Sequence, residues 1–248
     1  MLVRKHTSEM PLTTVSITAP LQIRPWLTTM FTAVTFCCLY ATTAQAEYSF
    51  ELDTVSLYKD RGEDQDEKNT NFRPALQGAW QYQHSSGVFV GNWVSTGKFG
   101  RASLQLDTTA GYGVDIGENA RLEAGYTHSI YPHEGSLNSN EIFTSFSYQN
   151  LTLEVFRGLR SGVNNKDMYY NFDYVHPIDA RWSLGAGMGY EHFGDSDEKS
   201  KIDYRAGVFY QLNNISTVSL VFAGANRKHA VENGIRDNRV ILGLNLDF

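Results

Sequence analysis

The sequence predicts an all-β chain folded as a transmembrane up-and-down antiparallel barrel of about twelve strands. Three observations point there: short segments of period-two alternation, a regular exchange of tight turns with long polar loops, and a terminal aromatic residue closing an amphipathic strand. No stretch carries a convincing 3.6-residue period, so helices are not expected.

The alternation is clearest in three segments. Ala102, Leu104, Leu106, Thr108, Ala110, Tyr112 and Val114 interleave with Ser103, Gln105, Asp107, Thr109, Gly111, Gly113 and Asp115. Trp182, Leu184, Ala186, Met188 and Tyr190 do the same against Ser183, Gly185, Gly187, Gly189 and Glu191. Ile202, Tyr204, Ala206, Val208 and Tyr210 oppose Lys201, Asp203, Arg205, Gly207 and Gln211. Because successive side chains on a strand point to opposite faces, each segment has one greasy and one polar side. The polar sides are rich in Gly, Ser and opposite charges rather than the long Lys and Glu of a solvated surface, so they are expected to line an interior. Strands are read near 48–58, 73–84, 87–96, 101–115, 120–131, 140–148, 151–160, 167–176, 181–193, 200–211, 215–226 and 238–248.

The connections sort by position. After the even strands lie tight turns: Ser85-Ser86, Gly117-Glu118-Asn119, Gln149-Asn150, Pro177-Ile178-Asp179 and Asn213-Asn214. After the odd strands lie longer polar segments, 59–71, 131–140, 158–166, 194–200 and 226–237, with 96–100 the shortest of the class. An even-stranded outer-membrane barrel has this segregation, with both termini and the short turns periplasmic and the long loops outside. Aromatics at segment ends, Trp80, Tyr82, Tyr148, Tyr174 and Trp182, suit an interfacial girdle.

Residues 1–46 read as a cleaved signal peptide and 47–248 as the barrel domain. From Trp26 to Thr43 there is no charge, and the stretch ends in Ala44-Gln45-Ala46, a small-x-small site. Both cysteines, Cys37 and Cys38, fall in this leader, so the mature chain has neither a disulfide nor a thiolate metal site to offer. Removing the leader leaves 18 basic against 26 acidic residues, which argues against a nucleic-acid partner. A mean hydropathy of −0.35 does not separate a soluble chain from a barrel, because alternating strands average to a modest value. The implied location is the outer membrane of a Gram-negative cell. The implied partners are outer-membrane lipid and lipopolysaccharide, the barrel assembly machinery and small hydrophilic solutes, with no cofactor. Val240, Leu242, Leu244, Leu246 and Phe248 form the greasy face of the last strand, and Phe248 is the expected assembly signal.

Ser56-Leu57-Tyr58-Lys59-Asp60-Arg61-Gly62, Pro74-Ala75-Leu76-Gln77-Gly78, Tyr82-Gln83-His84-Ser85-Ser86-Gly87 and Gly91-Asn92-Trp93-Val94-Ser95 follow one another along the chain. This series resembles the S-x-Y-x-x-R-G, P-A-x-Q-G, Y-x-H-x-S-G-x-x-x-G-x-W pattern that opens members of the TorF-type porin family of proteobacteria. The resemblance is specific over 54–96 and looser towards the C-terminus. It implies an outer-membrane barrel acting as a pore with no established substrate. The first loop departs from the family, an acidic GEDQDEKNTN replacing a shorter Ser-Gln type stretch.

Candidate lumen-lining charges are Glu51, Asp53, Asp107, Asp115, Arg121, Glu123, Asp173, Asp203, Arg205 and Arg239. In a water-filled bore such groups set ion preference; packed together they would form a plug. The expected function is passive diffusion of small hydrophilic solutes or ions, with a mild preference for cations. The competing readings are an outer-membrane hydrolase and a non-conducting structural or adhesive barrel. No enzyme activity is expected, because the adjacent His128 and Ser129 should face opposite sides of their strand and cannot share a proton. The acidic run Asp60 to Glu67 and the group Asp195, Asp197 and Glu198 lack the glycine placement and terminal Glu of a calcium loop, and both are expected to be solvated. Arg61 is expected to form no more than a loop salt bridge to Asp60 or Glu63.

Overall fold

The computed structural model describes residues 46–65, 73–162, 166–194, 199–226 and 238–248. Among them are twelve long strands: β1 (Ala46–Val55), β4 (Ala75–His84), β5 (Val88–Phe99), β6 (Ala102–Ile116), β7 (Ala120–Ile130), β8 (Ser139–Tyr148), β9 (Leu151–Gly162), β10 (Met168–Pro177), β11 (Trp182–His192), β12 (Lys201–Asn213), β13 (Ser216–Ala225) and β14 (Arg239–Asp247). Two short strands, β2 (Lys59–Asp60) and β3 (Glu63–Asp64), form a separate hairpin.

Every long strand pairs antiparallel with its neighbour in the chain, and β1 pairs with both β4 and β14, so the sheet closes as a barrel. Closure is what a bilayer demands, since an open edge would leave backbone groups unsatisfied in hydrocarbon. The seam is completed by Phe248, whose amide donates to the carbonyl of Phe50 at 2.9 Å. Strands of ten residues or so, at about 3.3 Å per residue and tilted, span the apolar core.

The alternation resolves as the sequence suggested. Tyr48, Phe50 and Leu52 on β1, Tyr170, Phe172 and Tyr174 on β10, and Val240, Leu242 and Leu244 on β14 all face outward and are exposed. A soluble protein does not display so continuous an apolar belt. Tyr82 against Tyr48 and Trp182 against Tyr210 form ring pairs at the end where the short turns lie. Inward positions carry the buried polar residues, among them Asp53, Gln77, Asp107, Asn171, Asp173, Asp203 and Asn245.

Two strand ends differ from the expectation by three residues. The 96–100 connection shrinks to Gly100-Arg101, with Gly100 at φ +56°, because β5 continues through a register shift to Phe99. The first strand, expected to reach 58, ends at Val55; Leu57 and Tyr58 are buried, and the start of the loop, expected to be solvated, follows them into the barrel as β2 and β3. The physical reason is Tyr58, which finds apolar company on the lumen wall in Trp93, Phe99 and Ala102. The signal peptide lies outside the described residues up to position 45, and β1 begins at Ala46 itself. Asp66, Glu67, Asp195, Asp197 and Glu198 also lie outside them.

Candidate functional site: the lumen and its inserted hairpin

The hairpin enters where β1 ends. Tyr58 sets its ring edge-on to Trp93 at 5.5 Å between centroids, and its hydroxyl donates to Gln105 Oε1 at 3.2 Å. Arg61 and Gly62 form the turn, both at positive φ (46° and 78°). Gly62 lies so close to the wall that a Cβ there would sit 2.6 Å from Asp203 Cβ and 2.7 Å from the Gly224 carbonyl oxygen, which leaves room for glycine alone.

Arg61 is the hinge of a charged chain. Its Nη2 donates to both carboxylate oxygens of Glu141 at 2.8 Å, and Nη1 donates to Glu191 Oε1 at 3.1 Å. The guanidinium also lies over the Tyr169 ring, 4.5 Å from its centroid. Glu191 in turn accepts from Lys201 Nζ at 2.8 Å, and the same ammonium reaches Glu63 Oε1 at 2.8 Å. The run Glu63, Lys201, Glu191, Arg61, Glu141 thus ties the hairpin to β8, β11 and β12. Below it, Arg205 donates to Asp173 and Asn171 and lies 3.5 Å from Asp203, which also accepts from the Tyr169 hydroxyl.

The opposite wall is built otherwise. Glu51 and Asp53 on β1 lie across from Asp247 and Asn245 on β14. The Asn245 amide donates to Glu51 Oε1 at 2.9 Å and to Asp53 Oδ1 at 2.8 Å. Asp107 on β6 accepts from Gln105 Nε2 at 3.1 and 3.3 Å. Among the described residues, Glu51, Asp53, Asp107 and Asp247 have amide or hydroxyl neighbours and form no ion pair with Lys or Arg.

Of the ten expected charges, Asp53, Asp107, Asp173, Asp203 and Arg205 line one cavity of the bore, and the barrel divides the set. Glu51, Asp53 and Asp107 belong to the acidic wall, and Asp173, Asp203 and Arg205 to the paired one. Arg121 pairs with Asp115 at 2.8 Å and Glu123 at 2.7 Å near the short-turn end, while Arg239 approaches Asp64 of the hairpin at 3.6 Å. The sequence reading missed Arg61, Glu63, Glu141, Glu191 and Lys201. The expected loop salt bridge from Arg61 to Asp60 or Glu63 is corrected to its partners on β8 and β11, because the turn is folded inward rather than out to solvent. His128 and Ser129 do face opposite sides: Ser129 lines the lumen, and His128 Nδ1 meets Asn140 Oδ1 at 2.8 Å.

Among the described residues, open space lies on both sides of the hairpin. A cavity of about 240 Å³ lies between the acidic wall, the Arg205 cluster and the underside of the hairpin. A second of about 170 Å³ lies on its other side, bounded by Glu63, Tyr131, Glu191 and Lys201.

A closed twelve-stranded barrel with an apolar belt and a charged, partly open interior defines a transmembrane β-barrel of the outer-membrane type. The chain belongs to the family described as a bacterial protein of unknown function (Gcw_chp), which matches residues 41–242. None of the curated proteins matches it in sequence. Among solved structures it is similar in fold to a KdgM porin, with a TM-score of 0.56 and 11% identity over 81% of this chain and 99% of that one. A KdgM porin in complex with disordered oligogalacturonate gives 0.55 and 11% over the same shares.

Proposed function

We propose that the protein sits in the outer membrane as a porin-like channel for small hydrophilic solutes and that it favours cations. The observation that carries the reading is the cavity of about 240 Å³ with the carboxylates of Asp53 and Asp107 on its wall. Carboxylates without a basic partner, once ionised, make the local potential negative, which draws cations in and turns anions away. The fold shared with KdgM porins supports a pore. Its solute need not carry over: oligogalacturonate is a polyacid, and an acidic wall opposes it.

The remaining assignments go with this reading. The leader 1–46 is removed on export, so the mature chain starts at Glu47. Phe248 serves the assembly machinery, the belt meets lipid and lipopolysaccharide, and the short turns and both termini face the periplasm. The TorF-type resemblance belongs here as well, since its Tyr58, Gln77 and Trp93 all border the cavity.

Purified protein in planar bilayers tests the proposal. Discrete conductance steps, with a reversal potential displaced towards the cation equilibrium under a salt gradient, are expected. A heat-modifiable, folded protein giving no steps at any voltage would favour a plugged structural barrel instead.

A further inference from the structure

The two cavities share a boundary made of Asp60, Arg61, Ser129 and Glu141. A solute moving along the bore from one space to the other therefore passes the tip of the hairpin. The hairpin reaches across from its attachment near β1: Tyr58 is held at β5 and β6, Arg61 at β8 and β11, and Gly62 against β12 and β13. Arg61 commits both ends of its guanidinium to carboxylates on two different strands, a planar, bidentate fit that Lys cannot reproduce.

We propose that Arg61 is the residue that sets both the width and the ion preference of the bore; the inference rests on the channel reading above. With its fork closed on Glu141 and Glu191, Arg61 pins the hairpin across the lumen and offsets the two glutamates. Removing the cation does two things at once. The hairpin loses its tie to β8 and β11, and the boundary keeps Asp60 and Glu141, and Glu191 next to it, with less positive charge beside them. Removing a glutamate instead leaves Arg61 with one partner fewer and shifts the local charge the other way. A solute bearing an ammonium or a metal cation is the class this arrangement admits more readily once Arg61 is gone.

The test measures single-channel conductance and reversal potential under a salt gradient for the wild type, Arg61→Gln, Arg61→Lys and Glu141→Gln. Arg61→Gln should raise conductance by at least about twofold and move the reversal potential further towards cations. Glu141→Gln should move it towards anions, and Arg61→Lys should restore the wild-type potential while leaving conductance raised, because a point charge replaces the fork. The opposed signs separate an electrostatic role from a purely structural one. Wild-type channels with Arg61→Gln unchanged in both quantities would overturn the inference and leave the channel reading standing. A silent wild type would instead overturn the channel reading. If Arg61→Gln fails to assemble, Glu141→Gln decides alone: a shift towards anions supports the inference, and an unchanged potential sinks it.

Discussion

The two walls of the lumen solve the same problem in different ways. Around β8 to β12 and the hairpin, nearly every buried charge meets an opposite one, as in Glu191 with Arg61 and Lys201 or Asp173 with Arg205. Around β14, β1 and β6, the carboxylates of Glu51, Asp53 and Asp107 are held by amides. A paired charge is stable only while its partner stays, because breaking a buried pair strands the survivor. A carboxylate held by amides depends on no opposite charge. Architecture and electrostatics are thus concentrated on opposite sides of one bore.

Lys201→Met should break the paired wall most severely. It removes the buried ammonium that bridges Glu191 and Glu63 and leaves Glu191 with Arg61, and should cost about 3 kcal/mol. A fall in the urea midpoint for unfolding from lipid vesicles checks this. An unchanged midpoint would mean that water already solvates the network.

The same substitution placed on each wall sharpens the contrast. A Cβ at Gly189 would sit 2.2 Å from Asp203 Oδ2 and 2.2 Å from the Tyr169 hydroxyl, both fixed in the charged network. At Gly243 the clash, 2.5 Å, is with the Ser219 hydroxyl, which can rotate away. Gly189→Ala should therefore cost about 1–3 kcal/mol, and Gly243→Ala much less. Equal losses in the same urea titration would contradict the division.

On the acidic wall the expected effect is on selectivity. Asp53→Asn with Asp107→Asn removes two acidic groups that lack basic partners, so stability should change by less than about 1 kcal/mol. The reversal potential should nevertheless lose most of its cation preference. A large loss of stability with selectivity intact would reverse the roles assigned to the two walls.

How much of this was legible follows from the range of the interactions. Strand identity rests on period-two alternation, a local property, so all twelve long strands and the inward face of Asp107 or Arg205 could be read from neighbours one and two residues away. The network could not. Arg61 meets partners 80 and 130 positions along the chain, and Glu63 reaches one 138 positions away. A run such as Lys59-Asp60-Arg61-Gly62-Glu63-Asp64 has the composition of a solvated loop, and charge alone does not show which way it folds. The available signal was the apolar Leu57-Tyr58 immediately before it and the Tyr58, Arg61 and Gly62 positions of the family series, which turn out to be wall and turn residues.

The smallest effect is expected outside both walls, at the loop end, where an exposed pair serves as the control for the comparison. The Arg101 side chain donates to Glu134 from Nε at 2.9 Å, joined by the Ser136 hydroxyl at 2.6 Å and the Arg101 amide at 3.3 Å. These bonds, the Arg101 side chain first among them, hold the Glu134 carboxyl at about 2 instead of the ordinary 4.5. A lowered carboxylate value means that whatever the contact adds is fully present above about 4.5 and disappears as the pH falls through about 2. Arg101→Ala should return the Glu134 titration, followed by NMR in detergent micelles, towards 4.5. Because Arg101 is largely solvent-exposed, the pair is screened and should leave the urea midpoint and the reversal potential where they were. A shift in either would show that charge at the rim is coupled to the bore, and the contrast between the two walls would then extend beyond the lumen.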